Sequence, residues 1–194
     1  MAKTISKEYQ EQLLAVRQGP GKWGTTAARN AGAPVAEIVH RVHRMLNGRP
    51  PHVLDYGAGE GMLAEYLHEH TEAHVHEYDP CVEGKQEMPD AAFDLVVSSD
   101  VLEHVEAEYI PAVLDECFRK ADIGVFHHIS TCLTGRKLPD GRDFHISCHE
   151  HAWWYNRLAV AASKHNFVLM ESQDVSRRQR GSYTTASRFY YERG

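Results

Sequence analysis

Val53-Leu54-Asp55-Tyr56-Gly57-Ala58-Gly59-Glu60-Gly61 reads as a short buried strand running into a glycine turn, and a helical pattern follows over Met62–Glu69. Strand, glycine turn and helix in that order open a doubly wound α/β sheet, where ligands bind beyond the carboxyl ends of the strands. Glycines there let the backbone approach a ligand with no Cβ between them. Outward from this segment, strands are expected at His52–Tyr56, His74–Tyr78, Phe93–Ser98, Ile123–Ile129, Phe167–Gln173 and Thr184–Glu192. Helical spacing is read at about 6–17, 34–46, 62–69, 107–120 and 152–165. The alternation predicts a Rossmann-like α/β fold with a mostly parallel sheet. The last two strands are joined by a segment too short for a helical crossover, so one antiparallel strand is expected near the C-terminal edge.

The 194 residues, 42% hydrophobic and 25% charged, describe one soluble globular domain over 1–194. Within it, 1–50 reads as N-terminal helices and a Gly-rich lid, and 51–194 as a binding core whose loop 130–152 faces the substrate. A formal charge of −6 argues against a broad polyanion-binding surface, although protonation of the 14 histidines would reverse its sign. Cys81, Cys117, Cys132 and Cys148 form no CxxC pair, which fits a reduced, cytoplasmic setting. The absence of an apolar run of about 18 residues speaks against a membrane partner.

The glycine turn discriminates between cofactors. A nicotinamide fingerprint needs a third glycine where Met62 stands, and Asp55 brings negative charge into the turn. A ligand carrying an ammonium or sulfonium cation suits that charge, which favours S-adenosylmethionine over NAD. Asp79 stands 18 residues beyond Gly61, near the ~20 expected for a ribose-binding acid. VLDYGAGEG, EYDP and FDLVVSSDVLEHV together resemble the class I S-adenosylmethionine-dependent methyltransferases. YDP, DVLEHVE, LPDGRDFH and the tryptophan pair resemble a small phage and bacterial group among them. The resemblance implies that Asp55, Gly57, Gly59 and Gly61 line the methionine half of the cofactor, that Asp79 holds the ribose, and that Asp100 and Val101 face the pocket. Tyr78 is a candidate adenine wall. Only 13 residues separate Asp79 from Phe93, where many family members carry a helix and a further strand, so the third-strand region is abbreviated.

His104, His128 and His145 are the candidate bases for an acceptor. His104 is equally readable as a helix-start histidine bonded to backbone. Alternation along the strand sends His127 and His128 to opposite faces, so at most one reaches the cleft. Asp143 and His145 are expected to face the acceptor. His145, Cys148, His149 and His151 match no zinc spacing, so no metal is expected. Trp154 reads as core, Trp153 as the cleft tryptophan, and Trp23 as a lid over the cofactor. Arg177, Arg178, Arg180 and Arg188 read as a solvated basic loop. The function expected is methyl transfer to an O, N or C nucleophile of a small-molecule or glycan-like acceptor. The alternatives are a nucleic-acid methyltransferase and a non-catalytic S-adenosylmethionine-binding module.

Overall fold

The computed structural model describes residues 4–17, 26–179 and 182–194. Along the chain lie α1 (Lys7–Arg17), α2 (Ala27–Met45), β1 (His52–Tyr56), α3 (Met62–His70), β2 (His74–Tyr78) and β3 (Phe93–Ser99). A 3-10 turn (Leu102–His104), α4 (Ile110–Lys120), β4 (Ala121–Ser130), α5 (His151–Lys164), β5 (Phe167–Gln179) and β6 (Ser182–Arg193) follow. The strands form one sheet in the order β2-β1-β3-β4-β6-β5. Strands β2, β1, β3 and β4 are parallel, and β6 runs antiparallel to both β4 and β5. β6 turns back beside β5 and fills the place between β4 and β5.

Alternation divides the apolar side chains between the two faces. Leu54 and Val96 join α4 and α5 residues Phe118, Trp154 and Leu158 in one core cluster. Val53, Leu95 and Val97 join Val35 of α2 and Leu67 of α3 in the other. Every residue of β3 is buried, as befits a parallel strand covered on both sides. Between β2 and β3 the described residues 80–92 hold turns and no strand. β2 is therefore a sheet edge, and its partly exposed His74, His76 and Glu77 suit that position.

Helix α2 starts a full turn and more before the expected residue 34 and carries Pro34 inside it. Proline has no N–H for the carbonyl four residues back. The Arg188 guanidinium supplies the missing donor, its Nη2 lying 2.7 Å from the Asn30 carbonyl oxygen. Arg188 is thus a tie between β6 and α2 rather than part of a solvated loop. Arg180 lies outside the described residues.

His127 faces the α4 side, against Phe118, with Nδ1 2.8 Å from Ser98 Oγ. Burial lowers its pKa to about 3. The unfolded chain takes up this proton near pH ~6.5, whereas the folded protein resists it until about 3. Stability contributed by neutral His127 is therefore lost as pH falls through that window, by about 1.4 kcal/mol per unit. Asp55, which burial pushes up to about 7, acts oppositely between its unfolded value and that pH. The measurement is thus a comparison: His127→Leu should lose less stability than wild type between pH 6.5 and 5 in urea titrations, and parallel losses would count against the assignment.

Candidate active site

A cavity of about 710 Å³ opens at the carboxyl ends of β1, β3 and β4, within the size range of small-molecule sites. Its floor is the glycine turn. Gly57 and Ala58 donate their N–H groups to the Tyr78 carbonyl at 2.7 and 3.0 Å. Gly59 is held on both sides: its N–H donates to Asp79 Oδ2 at 2.9 Å, and its carbonyl accepts from Lys85 Nζ at 3.0 Å. Asp79 Oδ1 also accepts the Cys81 N–H at 2.8 Å. Asp79 is buried yet lines the cavity, so it joins the loop floor to the cavity edge.

Gly57 has φ +80°, and a Cβ on it would stand 2.5 Å from Val101 Cγ2. Gly57→Ala should lose at least about 1–2 kcal/mol from the left-handed backbone alone. Val101→Ala in the same chain should recover the contact part of the loss and leave the backbone part, read as a partial rise in Tm. Full recovery would show that the φ angle carries no strain.

Asp100, at φ +57°, faces the cavity from the end of β3. Its Oδ2 accepts from Thr26 Oγ1 and Asn30 Nδ2, each at 2.8 Å. His128 Nδ1 takes the Arg188 Nε–H at 3.3 Å, which puts the neutral ring's proton on Nε2, 3.6 Å from Asp100 Oδ1. His128 lines the cavity, with its Nε2 turned toward Asp100.

The N-terminal segment also borders the cavity, through residues before and within α1. Ser6 N and Oγ donate to Glu106, Gln10 Nε2 donates to the Pro80 carbonyl, and the Arg142 guanidinium lies 5.5 Å over the Tyr9 ring. Thr4, Ile5 and Leu13 face inward.

At the far end, Ser147 ties the loop before α5 to the 3-10 turn through the Glu103 and Val105 carbonyls. His104 Nδ1 donates to the Phe144 carbonyl at 2.9 Å, and His145 Nδ1 to the Cys132 carbonyl at 2.5 Å. A carbonyl can only accept, so in each neutral ring Nε2 is the basic nitrogen. The two rings meet edge to face with centroids 4.7 Å apart. Glu103 is fully buried beneath them, and burial together with the nearby Asp100 charge raises its pKa well above the usual carboxylate range. Burial lowers that of His145, although the Cys132 carbonyl and the Asp100 charge oppose the shift.

The structure brings Gly57, Gly59, Asp79, Asp100, Val101, His104, His128 and His145 to one cavity. It does not bring the others. Asp55 lies buried under the loop, its Oδ2 without a hydrogen-bond partner among the described residues, and Tyr78 packs into the core against Tyr56. A Cβ on Gly61 would meet Glu77 Oε1, which pairs with Lys85 outside the cavity. Asp143 folds back on its own loop: partial burial opposes ionisation, but donors from Thr134, Gly135 and His145 hold its pKa down to about 2. Trp153, half-buried against the core, stacks on His149 under the Arg157 guanidinium and does not line the cavity. Trp23 lies outside the described residues. Glu103, Thr26 and Asn30 were not anticipated. For Glu103 the signal was its place in DVLEH, next to His104.

A family model described as a methyltransferase domain matches residues 28–172. No curated protein matches in sequence. Among solved structures, the 1,6-didemethyltoxoflavin-N1-methyltransferase of Burkholderia thailandensis, with bound 1,6-didemethyltoxoflavin and S-adenosylhomocysteine, superposes with TM-score 0.59 at 19% identity, covering 100% of this chain and 94% of that one. The magnesium protoporphyrin IX methyltransferase of Synechocystis PCC 6803, with bound SAM, gives 0.57 at 15%, covering 97% and 92%. A putative RNA methyltransferase of Pyrococcus horikoshii gives 0.51 at 14%, covering 82% and 81%. At these identities the likeness is one of fold. Among the described residues no helix is long and apolar enough to cross a membrane.

Proposed function

The chain belongs to the methyltransferase-domain family, and from that premise we propose that it transfers the methyl group of S-adenosylmethionine to an O, N or C nucleophile of a small acceptor held in the cavity. The observation that carries this reading is the continuity of one cavity from the fastened Gly57–Gly59 floor and Asp79 to the paired imidazoles of His104 and His145. One end suits a nucleoside and the other a reacting acceptor. S-adenosylmethionine supplies a methyl on a sulfonium, whose C–S bond breaks with its electron pair passing to sulfur as the acceptor's new bond forms.

The protein's part is mainly to position. Asp79, which accepts the Gly59 and Cys81 N–H groups at the cavity edge, is the acid placed for ribose hydroxyls. Gly57 and Gly59 let the amino-acid half lie against backbone, with Asp100 and Val101 as the facing wall. Asp55, Gly61 and Tyr78 act through the loop they support. His104 and His145, each presenting a basic Nε2, are placed to take the proton that an O–H or N–H acceptor releases. Thr4, Ile5 and Leu13 on one side and Phe144 and His145 on the other narrow the cavity, which favours a small acceptor over a long polymer. The methyltransferases of 1,6-didemethyltoxoflavin and of magnesium protoporphyrin IX support the same preference.

Calorimetric titration with S-adenosylmethionine tests the reading. Saturable one-to-one binding is expected, and no binding at millimolar ligand would remove it. Formation of S-adenosylhomocysteine across a panel of hydroxylated and carboxylated small molecules would then identify the acceptor class. Turnover confined to oligonucleotides, weakening with salt, would instead assign a nucleic-acid substrate.

A further inference from the structure

The loop before α5 does not gather His145, Cys148, His149 and His151 around one point: His149 stacks on Trp153, and His151 bonds Ser187 and Ser172. The fold assembles a different set. One ligand atom each from Glu103, His104 and His145 lies within 4.8 Å of the others, and His145 Nε2 is 4.0 Å from Glu103 Oε1.

Three observations mark this cluster as a binding site. Both imidazoles donate Nδ1–H to backbone carbonyls, of Phe144 and Cys132, which is how metal-binding histidines have their tautomer and orientation set. Glu103 is 0% exposed, and while its Oε1 accepts the Ser130 N–H, its Oε2 has no hydrogen-bond partner among the described residues. All three residues line the cavity, so coordination positions beyond theirs open onto it.

We propose that Glu103, His104 and His145 bind a divalent first-row transition cation, and that an oxygen of the methyl acceptor completes its coordination from the cavity. Two imidazoles and one carboxylate suit zinc, cobalt or iron better than magnesium or calcium. Metal–ligand distances of about 2.0–2.2 Å require the donor atoms to close in by roughly an ångström, a small rotamer adjustment. A hydroxyl on such a cation gives up its proton to water more readily, so with the cation bound the two imidazoles act as its ligands and not as the bases they are in its absence, and the cation sets the acceptor's position relative to the cofactor end. The acceptor's role rests on the methyl-transfer reading, whereas the cation site does not.

The test uses tag-free full-length protein, stripped with chelator, dialysed, and titrated with Co²⁺ by calorimetry and visible absorption. One equivalent should bind with a ligand-field band. Glu103→Gln and His145→Ala should weaken binding at least about tenfold, as loss of a ligand or its support does, and His104→Ala with His145→Ala should abolish it. His40→Ala with His43→Ala, on the outer part of α2, should leave it intact. Far-UV circular dichroism and retained S-adenosylmethionine affinity in His145→Ala would confirm that the variants are folded. No saturable Co²⁺ binding by the folded wild type, or unchanged binding by the double histidine variant, overturns the site. Co²⁺ binding without S-adenosylmethionine binding sinks the methyl-transfer reading and upholds the site; the reverse pattern does the opposite.

Discussion

Asp79→Ala should weaken S-adenosylmethionine binding by about two orders of magnitude, read as Kd by calorimetry. The carboxylate is buried and accepts the Gly59 and Cys81 N–H groups at 2.9 and 2.8 Å. Hydrogen bonds to a charged group contribute about 1.5–3 kcal/mol each, and removing the acceptor leaves both donors buried without it. The Gly59 bond fastens the cavity floor to the residue that follows β2, beside the Gly57 and Ala58 bonds to the Tyr78 carbonyl. A loss of about 3 kcal/mol in the binding-competent loop corresponds to about a hundredfold in Kd. Asp79→Asn keeps one carbonyl oxygen for one N–H and should fall between the two. An Asp79→Ala protein that stays folded and binds with wild-type affinity would show that neither the loop nor the ribose depends on this residue.

Trp154→Ala should cost about 3–5 kcal/mol of folding stability, the range for deleting a buried aromatic. Trp154 is fully buried in the cluster with Phe118, Leu158, Phe167 and Phe189, where α5 meets the sheet. Its ring stands edge to face with Trp153 at 4.8 Å. Its indole N–H finds no acceptor among the described residues, so Trp154→Phe removes an unsatisfied buried donor along with some contact area. The two terms oppose each other. The phenylalanine variant should therefore lose far less than the alanine one in urea unfolding, and equal losses would place the indole nitrogen's bonding wrongly.

Much of the fold was legible because its signals are local. Val53–Gly61 showed its strand, turn and helix through apolar run and glycine spacing, and Trp154 through its helical stripe with Leu158. Even the abbreviated connection after Asp79 was visible as a short interval. Where readings failed, one spacing was compatible with two partners. Asp143 had polar neighbours within its own loop, and four donors there outcompeted the cavity. Arg188 sat in a basic run, yet a carbonyl left bare by Pro34, 158 residues away, claimed it. Trp153 stood next to a core residue, and its ring packs against that core and on His149 instead of in the cavity.

Local patterning thus carries the layer order, the glycine floor and the acid at the end of β2, because strand period, turn chemistry and buried runs act between residues close along the chain. The far end of the cavity is another matter. Glu103 and His104 are separated from His145 by about 40 residues, and nothing in their spacing announces the meeting. Closure of β4 beside β3, with Ser147 pinning the intervening loop to the 3-10 turn, brings them within 4.8 Å. Side chains converging across a sheet owe their geometry to strand order and loop anchoring, which are properties of the packed whole.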